Sequence, residues 1–196
     1  MEPITLASSS PRRQEILKKM NIPFIVHPAN IAETIPGTVK LKNAPEFLAC
    51  KKVEAVAQRI SAQQEEIGWI LGADTAILYG NKLYGKPQSK EEAVEMIRKL
   101  QGHTHEVVTG LAIYNDNIHD ISMRTSCNKV TFAPMSETDI AWYISQGEWH
   151  GAAGGYRIQG TASCFIKKIE GTESSIMGLP IFELYDMLRE QNYSFD

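Results

Sequence analysis

The residues best suited to chemistry in this sequence are cations and hydroxyls gathered in the motif LASSSPRR near the N-terminus. Ser10 followed by Pro11 is typical of a helix start. A helix N-terminus carries unpaired N–H groups and partial positive charge, so each nearby cation costs roughly 0.3–1 kcal/mol. A bound anion reverses that cost, which makes Ser8, Arg12 and Arg13 candidate phosphate ligands. The alternative is a pair of solvated surface arginines.

Two further charged residues adjoin apolar segments. A second helix is predicted from about Pro45 to Ile60, and at 100° per residue Lys52 falls at the edge of its apolar arc. Such a lysine either extends its ammonium to solvent or meets an anionic partner in a cleft. Asp74 ends the predicted apolar strand WILGAD. A carboxylate there either caps the following turn or serves chemistry, by holding a divalent cation or deprotonating a water.

The remaining polar motifs are less informative on their own. Lys86 in YGKP has a simple interpretation as a surface lysine, and Glu33 in NIAETIPG carries no signal by itself. The glycines of GAAGGYRIQG allow close approach to a ligand or merely a flexible connection. That loop matches neither the P-loop nor the dinucleotide fingerprint. Together the motifs favour a basic pocket with one or two carboxylates, which suits a phosphorylated small molecule with a magnesium-type ion.

The segments that must position these residues alternate between strand and helix patterns, which favours a mixed α/β architecture. Capping residues bound two of the helices, and Gly80-Asn81 predicts a hairpin turn. The other predicted elements are strands at Ile4–Ala7, IPFIVHP, EVVTGLAIY, about Met123–Ala133 and SCFIKKI, capped helices at Ser89–Gly102 and Ser136–Gly147, and a last helix from Pro180.

Length and composition are those of an ordinary globular protein. The 196 residues, 43% hydrophobic and 22% charged, suit one domain or two small lobes sharing a core. A net charge of −3 argues against a large nucleic-acid footprint. Three cysteines, far apart and odd in number, favour a reducing cytoplasm. No signal peptide or 18-residue apolar run is visible, so we expect neither secretion nor a membrane span.

Taken together, LASSSPRR, GADT, GKP and IQG resemble, in order and spacing, the Maf family of nucleoside triphosphate pyrophosphatases. The resemblance spans the chain as a single domain, residues 1–196. It implies an α/β fold similar to that of inosine triphosphate pyrophosphatases: an extended, bent mixed sheet flanked by helices, with two lobes around a central cleft. It also implies cleavage between the α- and β-phosphates, with Mg²⁺ or Mn²⁺ required. The expected partner is a nucleoside triphosphate, without nucleic acid or membrane, and a homodimer is allowed.

The resemblance further implies roles for single residues. The family's proton acceptor corresponds to Asp74, with Lys52 and Lys86 as its catalytic partners. The phosphate-handling residues match Ser8, Arg12, Arg13, Lys52 and Lys86, the specificity positions fall on Arg12, Thr75 and Gln159, and the metal ligands on Glu33 and Asp74.

Gln159 lies in IQG, which resembles the subgroup acting on dTTP and UTP, whereas the subgroup acting on 7-methyl-GTP has a different motif there. The chain departs from the pyrimidine pattern at one place. Gly151-Ala152 stand where Asp-Lys is usual, and Arg157 is added. The alternative functions are a nucleotide-binding regulatory protein linked to cell division and septum formation, and a pyrophosphatase for 7-methyl-GTP. Asp74, Lys52 and Lys86 favour the enzyme, because a sensor needs no general base.

Overall fold

The computed structural model describes residues 1–196 and confirms the mixed α/β architecture. Seven strands form one sheet, and six α-helices accompany them. The strands are β1 (Ile4–Leu6), β2 (Phe24–Val26), β3 (Trp69–Tyr79), β4 (Lys82–Tyr84), β5 (Thr104–Asn115), β6 (Asp120–Phe132) and β7 (Ile166–Glu170). The helices are α1 (Pro11–Lys19), α2 (Ala44–Ala62), α3 (Lys90–Leu100), α4 (Glu137–Ser145), α5 (Glu173–Met177) and α6 (Ile181–Glu190). None of them is both long and apolar enough to cross a membrane.

The sheet has the strand order β2-β1-β3-β5-β6-β7, and β4 pairs with β3 beside this path. β1 runs parallel to both neighbours, with Ile4 opposite Phe24 in β2 and Trp69 in β3. β4 and β7 pair antiparallel with β3 and β6, so the sheet is mixed. The edge strand β2 exposes Ile25 and Val26, whereas the edge strand β7 exposes lysines.

The chain divides into two compact units. The first unit comprises residues 1–74, 109–126 and 178–196. One of its core clusters packs the apolar face of α2 against residues of the sheet. The residues of this cluster are Ala7, Ala49, Val53, Val56, Ile60, Ile70 and Ala112. The apolar arc predicted for the second helix is therefore the face that packs on the strands.

The second unit comprises residues 75–108 and 127–177. Its core joins α3 and α4 to strand residues and to the glycine-rich segment that follows α4. Large apolar side chains dominate this core, among them Ile77, Leu100, Val130, Phe132, Tyr143 and Ile158. The buried side chains of α3 are Ala93, Met96, Ile97 and Leu100, the apolar face expected from the 3.6-residue period.

Local signals in the sequence fix several boundaries. Gly80 and Asn81 have φ of +55° and +58°, as a two-residue hairpin turn requires, and Tyr79 pairs with Lys82. The hydroxyl of Ser89 accepts a hydrogen bond from the Glu92 N–H at the start of α3. Helix α4 begins with a full capping box, in which Ser136 and Asp139 satisfy each other's backbone N–H groups.

Two boundary predictions are wrong, and one short helix was missed. β3 does not end at Asp74 but continues to Tyr79, because Ala76 and Ile77 beyond it are buried as well. The segment SCFIKKI is not strand throughout, since a 3-10 helix occupies Thr161–Phe165 before β7 begins. Helix α5 was not predicted from the sequence, and its five residues are too few to show a period.

A buried histidine makes the second unit sensitive to acid. His105 contacts the rings of Phe132 and Tyr156, and its Nε2 lies 2.7 Å from Tyr156 Oη. Its Nδ1 has no hydrogen-bond partner. Burial lowers the pKa of His105 from 6.5 to about 4, because the charged ring cannot be solvated there.

We therefore predict that stability falls as the pH is lowered from about 6.5 to about 4. In this range the unfolded chain binds a proton at His105 while the folded protein does not, so folding loses up to about 3 kcal/mol. Urea unfolding at a series of pH values measures how steeply the free energy of unfolding falls with pH in this range. His105→Gln should make this fall less steep, whereas the same change at His119, whose side chain is 77% exposed, should not. An unchanged slope in His105→Gln would refute the prediction.

Candidate functional site

Lys52 lies at the centre of a charged cluster in the first unit. Its Nζ lies 2.6 Å from Asp74 Oδ1 and 2.7 Å from Glu33 Oε1. The side chains of Lys52 and Asp74 are only 10% and 14% exposed. The hypothesis that Lys52 meets an anionic partner is therefore confirmed, and two carboxylates provide that partner.

The contact between Lys52 and Asp74 follows from how α2 lies on β3. Side chains alternate along a strand, so Ile70, Gly72 and Asp74 share one face. A Cβ on Gly72 would overlap the carbonyl oxygen of Ala49 in α2. The absence of that Cβ lets the helix approach closely, and Lys52, three residues further along α2, thereby reaches Asp74.

Glu33 joins the cluster from an irregular segment between β2 and α2. Its side chain is 56% exposed, much more than those of its two neighbours. The sequence motif around Glu33 carried no signal by itself, and only the family resemblance pointed to it. In the structure, three predicted site residues distant in the chain meet at one ammonium group.

Arg13 is the buried member of the arginine pair. Its Nε donates to the carbonyl oxygen of Gly178 at 2.8 Å, and its Nη1 donates to Ser8 Oγ at 2.9 Å. Burial lowers the pKa of Arg13 and neighbouring Arg12 lowers it further, whereas the carboxylates of Asp74 and Glu33 act in the opposite direction. The interpretation of both arginines as solvated surface residues is thus wrong for Arg13.

Ser8 and Ser10 differ in what they do at the start of α1. Ser8 is buried, and its oxygen accepts hydrogen bonds from both Arg13 and the Ser10 N–H. Ser10 occupies the N-cap position, but its side chain makes no capping bond. The helix start is therefore as predicted, while the expected hydroxyl cap at Ser10 is absent. Arg12 follows at an intermediate level of exposure.

The second unit carries the other predicted site residues. Thr75 follows Asp74 directly on β3, and Lys86 and Gln159 are exposed in loops. The N–H of Gly154 donates to the carbonyl oxygen of Gly85 at 2.9 Å. This bond ties the glycine-rich segment containing Gln159 to the turn containing Lys86.

Gly178, whose carbonyl oxygen accepts a hydrogen bond from Arg13, was not predicted as a site residue. Its contribution is a backbone carbonyl, and any residue type offers one, so side-chain patterns contain no signal for it. The contact also joins residues 165 positions apart. Only the fold brings this acceptor to the guanidinium.

The carboxylates are the candidate metal ligands. No group of three or more His, Cys, Asp or Glu side chains is arranged to hold an ion. Glu33 and Asp74 nevertheless converge on one point, since each has an oxygen within 2.7 Å of Lys52 Nζ. Mg²⁺ is usually bound by one or two carboxylates together with substrate phosphates and water. Glu33 and Asp74 therefore offer the oxygen ligands that such an ion takes, and in this structure the Lys52 ammonium occupies the point between them.

Comparison with known proteins places this geometry in context. A family model described as Maf-like protein matches residues 3–191. The dTTP/UTP pyrophosphatase of Pelotomaculum thermopropionicum is 38% identical, over 99% of both chains. That of Desulforamulus reducens is 41% identical, over 96% of both chains. Among solved structures, the Staphylococcus aureus Ham1 protein shares the fold, with a TM-score of 0.55 and 13% identity over 97% of this chain and 100% of its own.

The two arginines should differ in their effect on stability. Arg13→Gln should lower the free energy of unfolding by about 1–3 kcal/mol, because the Gly178 carbonyl loses a buried donor. Arg12→Gln should cost less stability than Arg13→Gln, because Arg12 is only partly buried and its replacement removes a cation from a positive helix end. Urea unfolding of both variants at neutral pH measures the difference in the free energy of unfolding. Equal losses would contradict the prediction that the buried Arg13 contributes more to stability than Arg12.

Proposed function

Because this chain belongs to the Maf family, we propose that it hydrolyses dTTP and UTP to the nucleoside monophosphate and pyrophosphate. The observation that carries the proposal is the contact of Lys52 with Asp74 and Glu33. It places a carboxylate suited to proton transfer beside a cation and a second carboxylate. The family membership inferred from the motifs is confirmed by the comparisons.

The reaction requires a water activated for attack on the α-phosphorus. Asp74 accepts a proton from this water as its oxygen bonds to the phosphorus. The bond between the α-phosphorus and the bridging oxygen breaks, and its electron pair leaves with pyrophosphate. Lys52 holds the Asp74 carboxylate by a contact of 2.6 Å, so the base is already oriented before the substrate arrives.

The cations stabilise the charge of the triphosphate and of the leaving group. Arg13 is held in place by Ser8 and Gly178, so little conformational freedom is lost when it meets a phosphate. Arg12, Lys52 and Lys86 share this role by family resemblance. Because the charge is met by groups already in position, phosphate transfer needs little covalent participation by the protein.

Glu33 and Asp74 are the residues that would hold Mg²⁺ or Mn²⁺. When bound, such an ion neutralises phosphate charge and polarises the phosphorus centre. The requirement for the metal is part of the proposal and rests on the donor set described above.

Thr75, Gln159 and Arg12 are proposed to select the nucleobase. Support comes from the IQG motif, from the names of the relatives and from the exposure of the Gln159 amide. A homodimer, a cytoplasmic location, the absence of nucleic-acid binding and a single functional domain over residues 1–196 stay predictions from the sequence.

The products of the reaction test the proposal directly. The purified protein is incubated with dTTP or UTP and Mg²⁺ or Mn²⁺ in ¹⁸O-water, and the products are followed by ³¹P NMR and mass spectrometry. We expect pyrophosphate and a monophosphate that carries the ¹⁸O. Orthophosphate and a nucleoside diphosphate would overturn the proposal, because attack would then lie at the γ-phosphorus. Tight nucleotide binding without turnover would favour a regulatory protein instead.

Replacement of the proposed base should remove turnover but keep binding. Asp74→Asn should lower kcat by about 10²-fold or more, because the amide cannot accept the proton. The dissociation constant for dTTP, measured by calorimetry, should change much less. Asp186→Asn is a matched control, since that carboxylate is also paired with a cation, Arg124, but lies on α6. Near-normal turnover in Asp74→Asn would exclude this residue as the base.

A further inference from the structure

The glycine-rich loop, residues 147–161, is held at its C-terminal end by the carboxylate of Glu148, a residue that was not predicted to have a role. Glu148 Oε2 accepts a hydrogen bond from the Thr161 N–H at 2.8 Å. Thr161 begins the 3-10 helix that precedes β7, so Glu148 satisfies one of its otherwise unpaired N–H groups. The contact spans 13 residues and closes the loop at its base. Gln159 lies two residues before Thr161, inside the closed segment.

The glycine next to Gln159 is explained by the same carboxylate. Gly160 has φ of −109°, a conformation open to any residue, so its backbone does not require glycine. A Cβ at this position, however, would overlap Glu148 Oε2. A side chain at this position would therefore displace the Glu148 carboxylate from its contact with Thr161.

Further bonds restrain the rest of the loop. Arg157 Nη2 donates to the carbonyl oxygen of His150 at 2.7 Å, and Tyr143 Oη donates to that of Gly155 at 3.0 Å. Gly154 has φ of +67°, and a Cβ there would overlap Ile77. Several hydrogen bonds thus restrain the backbone of this loop, and the side chain of Gln159 is exposed within the IQG motif.

We propose that Glu148 is a positioning residue for nucleobase selection, which holds the backbone at Gly160 and Thr161 and thereby fixes the place from which the Gln159 side chain extends. The inference rests on the proposed function, in which Gln159 contacts the base. A fixed backbone at Gln159 limits the positions that its amide can reach, and hence which base edge it can hydrogen-bond with good geometry. Loss of the Glu148 contact lets this backbone move and weakens that distinction.

The first experiment compares Glu148→Ala with Glu148→Gln. The glutamine keeps an oxygen acceptor for the Thr161 N–H, whereas alanine removes it. For Glu148→Ala we expect KM for dTTP to rise about tenfold with kcat nearly unchanged, and the ratio of kcat/KM for dTTP over dCTP to fall about tenfold. Glu148→Gln should retain most of the selectivity. A purely structural role would lower the melting temperature and the active fraction but leave that ratio unchanged.

The second experiment is a double-mutant cycle with Gly160→Ala. The added methyl group should displace the Glu148 carboxylate and reproduce the loss of selectivity seen in Glu148→Ala. In the double variant the overlap is gone, so the second substitution should add little to the first. Independent, multiplicative effects of the two changes would show that Glu148 and Gly160 do not act together, and would overturn the inference.

Two measurements separate failure of the inference from failure of the proposed function. Glu170→Ala is the control for loss of a carboxylate in the same unit, since Glu170 pairs with Lys168 on β7. Dissociation constants for the α,β-imido analogues of dTTP and dCTP report selectivity even if the wild-type protein releases no pyrophosphate. If the wild type binds dTTP selectively and Glu148→Ala keeps that selectivity, the inference about Glu148 is wrong and the proposed function stands. If the wild type binds selectively but releases no pyrophosphate, the proposed enzymatic function is wrong and the inference about Glu148 stands.

Discussion

The ion contact between Lys52 and Asp74 is the constraint on which the first unit depends. Both side chains are largely shielded from solvent, and removing two charges from water costs several kcal/mol per ion. The mutual attraction roughly offsets this cost, so the pair is poor at stabilising the fold but expensive to break. Loss of Lys52 would leave the shielded Asp74 carboxylate without its ammonium partner, at about 3–5 kcal/mol, whereas loss of Asp74 would leave Lys52 paired with Glu33. Gly72 and the close approach of α2 are thus requirements of the pair as much as of the core.

The same reasoning explains the arrangement around Arg13. A cation deprived of water must be compensated, and here a hydroxyl, a backbone carbonyl and the field of two carboxylates provide the compensation. The protein therefore carries oriented charges before any ligand is present. Such charges need no rearrangement as new charge develops on a substrate, and this is the main source of electrostatic catalysis.

Local features of the sequence predicted the elements that depend on local physics. The hairpin at Gly80-Asn81 and the capped start of α3 were correctly expected, because turn and cap preferences act within a few residues. The helical period also placed Lys52 at the edge of the apolar face of α2. Its burial against Asp74 is consistent with that placement.

What escaped prediction depends on contacts between distant parts of the chain. The burial of Arg13 requires a carbonyl from Gly178, and the role of Glu148 requires the backbone at Thr161. No spacing rule connects such positions. The predicted end of β3 at Asp74 was wrong for a related reason: a polar residue can lie within a strand when a partner elsewhere, here Lys52, receives it.

The two edges of the sheet have consequences for self-association. An edge strand offers unpaired backbone groups to a second chain. β2 has only three residues and lies between Pro23 and Pro28, which lack N–H groups. A strand of a second chain could therefore form only a few backbone hydrogen bonds with it. At β7, the charges of Lys167 and Lys168 oppose pairing with a second chain instead. The effect of proline does not depend on ionic strength, whereas salt screens the repulsion between charged side chains. Concentrated salt, or acetylation of these lysines, therefore weakens the protection of the β7 edge and leaves that of the β2 edge unchanged.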